Sequence, residues 1–425
     1  MTEDAEGRPL NERHALIFIL AVVSLETIGF GLIGPILPDY LTHLGHQSLS
    51  DAALDAGAMM TIYAVMGFVF GPIMGNLSDR FGRKVVLLAS LGALSLDYIL
   101  LANADHIGVA LGISGVLVLF VGRAISGAAG MTMAPANSFI ADITAPDKRA
   151  ARFGLVSAAW GVGFIVGPAL GGMLAGAFGM KTPLYVASAV AAGGFVFGLV
   201  MIPETLKPEN RRPFKLLRAN PVGALLQMRR YPVVFGLILC FVTFQIAHDA
   251  NPAIWNFYTR EKFGWDAGDV GLSMAFVGVC MVVVMSVVLP RVLARLGETR
   301  TACFGLVMMA AGFAGFAAST QGWMMVAMIV PFALIGLVGP SLRGIMSGAV
   351  PPNAQGELQG AVSSVQSLTM IVSPMIMTGV FNRFTGQDAI VYLPSAPFWL
   401  AAGLSVVTLL IVVGVLTRTR YERTV

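Results

Sequence analysis

Twelve stretches of this chain are each long and apolar enough to cross a lipid bilayer, and no motif in it constrains the fold as much. A membrane helix takes about 20 apolar residues. Windows of that length fall at 15–39, 57–77, 84–103, 110–140, 151–177, 183–202, 233–257, 268–290, 300–319, 322–348, 357–381 and 394–417. The fourth is over-long and is expected to kink between Gly112 and Gly115. Of 425 residues, 56% are hydrophobic and 12% charged, too little polar surface for a soluble enzyme or nucleic-acid binder of this size. The expectation is an all-α membrane protein with twelve transmembrane helices.

Charge sets the orientation. With the N-terminus on the cytoplasmic side, 21 Lys and Arg fall inside, among them Arg80, Arg83, Lys84, Lys148, Arg149, Arg295 and seven in the central loop. Only Lys181, Arg260, Lys262 and Arg383 fall outside, while Arg123 and Arg343 lie within helices. Positive charge is retained on the cytoplasmic side, so both termini are expected there. Residues 1–14 are acidic, with Glu3, Asp4, Glu6 and Glu12, and the apolar run then continues from Ala15 to Leu37. That is too long for a cleaved leader, and the first helix is expected to stay.

The one long polar break, which begins PETLKPENRRPF, divides the chain into an N-terminal six-helix half (1–203), a central cytoplasmic loop (204–231) and a C-terminal six-helix half (232–425). The tail of that loop, FKLLRANPVGALLQM, mixes basic and apolar residues and suits either the inner leaflet or a plain tether. The halves repeat. Shifted by 206 positions, GLVSAAWGVGFIVGP (154–168) lies on GAVSSVQSLTMIVSP (360–374), with Pro168 on Pro374. Shifted by 215, RFG (Arg80–Gly82) lies on RLG (Arg295–Gly297). Both halves start on the same side, so this is a parallel repeat.

The loop between helices two and three reads GNLSDRFGRK, Gly75 to Lys84, with one acid and three bases. Gly75 and Gly82 permit close helix approach and unusual backbone angles. Asp79 is placed to cap the following helix, with Arg80, Arg83 and Lys84 at the inner surface. In this loop the chain resembles the major facilitator superfamily, whose signature it carries. The resemblance implies that Gly75, Asp79, Arg80, Gly82 and Arg83 latch the two halves on the cytoplasmic side. The second copy, PRVLARLGETR, keeps Arg295 and Gly297 without the acid.

Helix five carries GVGFIVGPALGG, in which Gly163, Gly167 and Gly171 recur every fourth residue and make a smooth stripe. Pro168 adds a bend. The repeat partner has Thr369, Ser373 and Met377 at the glycine places, so the fold alone does not demand glycine there. By resemblance the pattern marks drug/proton antiporters rather than importers and adds these residues to the gating set.

Ionisable residues inside a membrane are functional candidates. Glu26 lies 12 residues beyond His14, about 18 Å deep, and Asp97 13 residues beyond Lys84, about 20 Å deep. Arg123, inside helix four, is placed to hold both acids in one cluster. Burial disfavours a carboxylate and a nearby guanidinium favours it, so changing their contact loads and releases a proton. In the second half Gln245, His248, Asp249 and Asn251 crowd one helix, where polar groups need partners or water. Asp249 falls in its outer half. Arg343 is near the inner end of helix ten, too far away to pair with it.

Further stretches resemble the tetracycline/proton antiporter branch: ETIGFGLIGPILP (26–38), SLDYILLA (95–102), GRAISGAAG (122–130), IWNFYTREKFGW (254–265), VGLSMAFVG (270–278), TQGWM (320–324) and GELQGAVSS (356–364). That resemblance implies expulsion of a tetracycline–divalent-cation chelate in exchange for a proton, with Asp97 and Arg123 on the helix-three acid and helix-four arginine and Glu26 on the first-helix aspartate. The chain departs from the branch at Met281 and Met309, where its helix-eight histidine and helix-nine aspartate fall, leaving His248 and Asp249 as replacements. The 23 methionines suit an adaptable drug pocket. The expected partners are a small amphipathic drug, protons and the lipid bilayer, with no nucleic acid, no cofactor and a monomeric state. The sequence contains no metal-ligand cluster or phosphate-binding loop, and Cys240, Cys280 and Cys303 lie singly in apolar runs. The alternatives are a multidrug exporter that does not act on tetracycline and, on the same fold, a nutrient/proton symporter.

Overall fold

The computed structural model describes residues 12–130, 133–145, 148–201, 204–206, 209, 211, 228–351 and 354–422. The proposed inner-leaflet tail of the central loop, and the acidic residues Glu3, Asp4 and Glu6 at the N-terminus, lie outside the described residues. Among those described, the structure is helical throughout, with no strand. The helices are α1 (Glu12–Ile33), α2 (Leu37–Gly45), α3 (Leu49–Phe81), α4 (Arg83–Ala102), α5 (Ala104–Leu111), α6 (Gly115–Ala129), α7 (Met133–Ile143), α8 (Arg149–Phe178) and α9 (Thr182–Met201). After the central loop follow α10 (Pro232–His248), α11 (Ala250–Phe263), α12 (Ala267–Val283), α13 (Leu289–Ala318), α14 (Gly322–Ala333), α15 (Val338–Gly348), α16 (Gln355–Thr385) and α17 (Ala396–Glu422).

Among the described residues, ten helical runs pass the length and hydropathy requirements for a membrane span on their own. One of them, Ala267–Ala318, has 52 residues and would extend about 78 Å, more than twice the ~30 Å hydrocarbon core. It turns at Gly297 (φ 71°, ψ 171°), so it is two spans. The helix α6, taken together with α5, supplies the twelfth. It leaves α5 at a bend of 113° beside the Gly112–Gly115 segment where a kink was expected. The parallel repeat is visible in the backbone. Gly82 (φ 109°) and Gly297, 215 positions apart, both adopt the positive φ that disfavours a side chain, and Pro168 and Pro374 both sit inside long helices.

The chain packs as two compact units. The first takes the described residues up to Gln47, those from Ile62 to the central loop, and Asp266–Gly278; the second takes Ser48–Thr61, the residues from the central loop to Trp265, and Val279 onward. In the first unit, Ala15, Phe18, Ile19, Val22 and Val23 form one stripe of α1 at helical spacing, packed with Leu87, Leu91, Phe139, Ile140 and Val156. In the second, aromatic rings interlock: Tyr258 meets Phe398 edge-on at 4.8 Å, and Phe332 lies 5.1 Å from Phe313 and 5.0 Å from Phe316.

Candidate functional site

Inside the first unit, Arg123 of α6 donates through Nη2 to Oδ2 of Asp97 on α4. Asp97 is fully buried and Arg123 is 8% exposed. The pair is incompletely satisfied, since Asp97 Oδ1 and Arg123 Nε have no hydrogen-bond partner. Gly122 lets the acid come so close: a Cβ there would sit 2.5 Å from Asp97 Oδ1. Glu26, half-buried on α1, belongs to the same electrostatic neighbourhood, which also takes in Tyr63 of α3 and Tyr98 of α4. Of the three charges, the structure brings Asp97 and Arg123 into contact, and Glu26 shares with them the neighbours Tyr63 and Tyr98, two tyrosines that sequence reasoning missed. An aromatic residue in an apolar helix carries no mark of such a place.

The loop 75–84 forms a second network. Arg83 is buried, and its guanidinium reaches Asp79 at 2.5 Å, Ser78 at 3.1 Å and Asp142 of α7 at 3.3 Å. Asp79 does not cap the following helix. That role falls to Glu204, just past α9, whose carboxylate accepts the backbone N–H groups of Arg83 at 2.9 Å and Lys84 at 3.1 Å. These are the unpaired first donors of α4, at the positive end of its dipole. Gly82 makes room, because a Cβ there would run into the Glu204 carboxylate. Asp79 sits one helical turn before Arg83 and meets its side chain rather than the helix start. Arg80 lies outside the network, exposed, with its guanidinium 5.1 Å from the Phe81 ring centroid. Gly75 makes no close approach: it lies inside α3 with nothing within 4 Å of a Cβ position.

The glycine stripe of α8 lies against α1. A Cβ on Gly163 would come 2.8 Å from the Ser24 carbonyl oxygen, one on Gly167 2.7 Å from that of Ile28, and one on Gly171 would collide with Leu32. The other face of α8 meets the start of α12, where Gly271 lies on the Pro168 backbone and Gly278 on Ile165. The motif thus has two smooth faces, and only the first was legible from the spacing.

In the second unit the seventh span breaks between α10 and α11. Pro252 has no N–H to give the His248 carbonyl, which ends the ladder there. At the break Asp249 Oδ1 accepts Gln245 Nε2 at 2.9 Å and lies 3.3 Å from His248 Nδ1. Asp249 Oδ2 and Asn251 Nδ2 are buried without a partner. All four polar residues singled out in this helix therefore gather at one discontinuity. Met309 is fully buried, and Met281 packs with Val284, Ala333 and Leu337, so apolar packing occupies both departures from the tetracycline branch. The Arg343 guanidinium lies 5.8 Å from the Phe241 ring.

Twelve membrane helices in two parallel repeats, with a buried ion pair and a polar helix break inside them, make a secondary transporter. A family model described as Major Facilitator Superfamily matches residues 19–374 and 249–424. The chain is 34% identical over 372 residues to the class C tetracycline resistance protein of Escherichia coli, covering 88% of this chain and 91% of that one. It is 35% identical over 381 residues to the class G protein of Vibrio anguillarum, covering 88% and 92%. The solved peptide transporter POT in complex with sulfate shares the fold at a TM-score of 0.73 and 14% identity, over 97% of this chain and 95% of that one. The chain belongs to the major facilitator superfamily, within the branch of the tetracycline resistance proteins.

Proposed function

We propose that this protein exports tetracycline, or a similar amphipathic drug, across the bacterial inner membrane in exchange for a proton. It acts by alternating access, as a monomer with both termini in the cytoplasm, its halves 1–203 and 232–425 working as two bundles joined by 204–231. The buried Asp97–Arg123 pair carries this reading, together with identities of 34% and 35% to tetracycline resistance proteins. A proton arriving at Asp97 neutralises the carboxylate and weakens its charge-assisted bond to Arg123, freeing the guanidinium and altering the helix contact. Gln245, His248, Asp249 and Asn251 bind the drug at the break between α10 and α11, where Asp249 offers a negative charge and Asn251 a donor. Gly75, Asp79, Arg80, Gly82 and Arg83, with Gly163, Gly167, Pro168 and Gly171, govern opening and closing.

A second reading, a multidrug exporter that leaves tetracycline alone, is favoured by the apolar packing at Met281 and Met309 and by 25% identity to multidrug resistance protein 2 of Bacillus subtilis (strain 168). In inverted vesicles, drug accumulation should require the proton gradient, collapse with a protonophore and ignore ATP depletion while the gradient is clamped. Uptake without a gradient would sink both readings. Tetracycline uptake that needs added magnesium would identify the chelate as the form carried, and uptake of other drugs alone would select the second reading.

A further inference from the structure

Building on the drug-binding role given to the α10–α11 break, we propose that His248 decides whether Asp249 can hold a drug's positive group. A proton on the imidazole and a cationic drug then exclude each other at one carboxylate. Two pairs stand side by side in the last turn of α10. Gln245 Nε2 donates to Asp249 Oδ1 at 2.9 Å, and the ring of His248 lies 5.9 Å from that of Phe244, one turn earlier. His248 Nδ1 lies 3.3 Å from the same Oδ1, while Asp249 Oδ2 is buried without a hydrogen-bond partner. The two side chains differ in access, His248 being 37% exposed and Asp249 12%. Water reaches the imidazole, whereas the carboxylate is enclosed with one oxygen unanswered.

A buried carboxylate needs a counter-charge. Protonated His248 supplies one and leaves the break neutral. With His248 neutral the break carries one negative charge, and Oδ2 is the atom open to a cation. Histidine is the side chain that changes charge between about pH 5 and 8. The proton and the cation repel, so each weakens the other's binding by the same factor. On the more acidic side of a membrane the proton wins and the cation leaves, which suits export driven by protons. The other titratable groups on the elements packed here stand apart from this contact. On α10 itself, Cys240 donates to the Gly236 carbonyl, two turns back. Along α11, Tyr258 is nine residues beyond Asp249, about 13 Å, and donates to the Phe316 carbonyl, with Arg260, Glu261 and Lys262 further on. Arg343 of α15 faces Phe241, seven residues before His248. Glu357 and Arg383 lie in the first and last turns of α16, and α17 has no charged residue between Ala396 and Thr417. At the start of α3, Asp51 bonds Ser48 and Asn382, and Asp55 follows one turn later.

The test is tetracycline binding to the purified chain in detergent, without magnesium, so that the dimethylammonium is the only positive group on the drug. Wild type should bind about tenfold more weakly at about pH 5.5 than at about pH 7, within the usual range for two coupled sites. The analogue lacking the dimethylamino group should bind equally at both. His248→Asn keeps an amide nitrogen beside Asp249 but nothing that titrates, and at both pH values it should bind tetracycline as wild type does at the higher one. Asp249→Asn should bind at both as wild type does at the lower one. A second measurement needs no variant: at about pH 6.5, tetracycline should release protons from wild type into a weakly buffered solution, and the analogue should release none. A packing role for His248 would produce neither the pH profile nor the release. Equal wild-type affinity at both pH values, or a pH dependence kept by His248→Asn, would overturn the switch and leave the break as the drug site. Equal binding by wild type and Asp249→Asn at the higher pH would overturn the drug site itself, and the switch with it.

Discussion

Arg123 and Asp97 are locked to each other inside the first unit, Nη2 to Oδ2, with one oxygen and one nitrogen of the pair left unpaired. Removing either partner strands a buried charge, at about 3–5 kcal/mol, whereas replacing both by apolar residues of similar volume is often neutral. Arg123→Ala should therefore lower the amount of folded protein. The double variant Asp97→Leu/Arg123→Met should restore thermal stability in detergent while transport stays at background. Transport by the double variant would show that the pair is only structural.

The loop between α3 and α4 should separate capping from gating. Glu204→Ala removes the carboxylate on the first two N–H groups of α4 and should cost about 1 kcal/mol of stability, the usual value of a helix cap. Asp79→Asn leaves Arg83 with Ser78 and Asp142, so the protein should insert and melt like wild type yet export almost nothing. Gly82→Ala should fare worst, since φ is 109° and the new methyl meets Glu204. Melting curves and vesicle uptake on the three variants check the order.

The twelve spans were legible because an apolar run of about 20 residues has few other uses, and the mid-helix charges at 26, 97 and 123 were legible because charge is costly there. The break at Asp249 was marked by its crowd of polar residues. What was not legible depends on distance along the chain. Glu204 caps a helix some 120 residues before it, and nothing in PETLKPEN says which helix it serves. Tyr98 and Tyr63 look like packing residues until the notch at Gly29 and the approach of Gly127 are known. Asp79 was misread because sequence proximity to a helix start does not distinguish an acid facing backbone donors from one facing a side chain a turn away.

The glycines of α8 should differ sharply in tolerance. Gly161 has nothing within 4 Å of its Cβ position, whereas Gly167 faces the Ile28 carbonyl oxygen at 2.7 Å and other α1 backbone. Gly161→Ala should be silent. Gly167→Ala should push α8 from α1 and cost about 1–3 kcal/mol, as overpacking does. Thermal melting of the two variants in detergent tests this, and equal melting would mean that the stripe makes no close contact.

At the loop after α16, Tyr392 donates to Glu261 Oε1 at 2.5 Å. Burial, then the hydrogen bond to Glu261 and its charge, push the phenol up to about 12. A raised folded value means that this contribution is complete below the unfolded value of about 10 and is lost as pH rises through about 12. Difference absorbance between wild type and Tyr392→Phe should show one tyrosine titrating near 12, and Glu261→Gln should bring it back toward 10. A wild-type titration at the ordinary value would mean that the loop is not tied to α11.

If the α10–α11 break takes over the polar duties missing at Met281 and Met309, Asp249 should control which drugs leave. Asp249→Asn keeps an oxygen for Gln245 and so keeps the break, but removes the negative charge. A lost charge-assisted hydrogen bond is worth about 1.5–3 kcal/mol, which corresponds to tenfold or more in affinity. Cells carrying Asp249→Asn should lose resistance to cationic and zwitterionic drugs by about that factor and keep it against neutral ones. Met309→Ala opens a cavity in a fully buried site and should lower stability by about 2–5 kcal/mol, weakening resistance to all drugs alike in proportion to the folded protein remaining. Susceptibility profiles normalised to protein in the membrane separate a change in selectivity from a change in amount. Identical normalised profiles for Asp249→Asn and wild type would remove the second-unit site, leaving Glu26, Asp97 and Arg123 to carry both drug and proton.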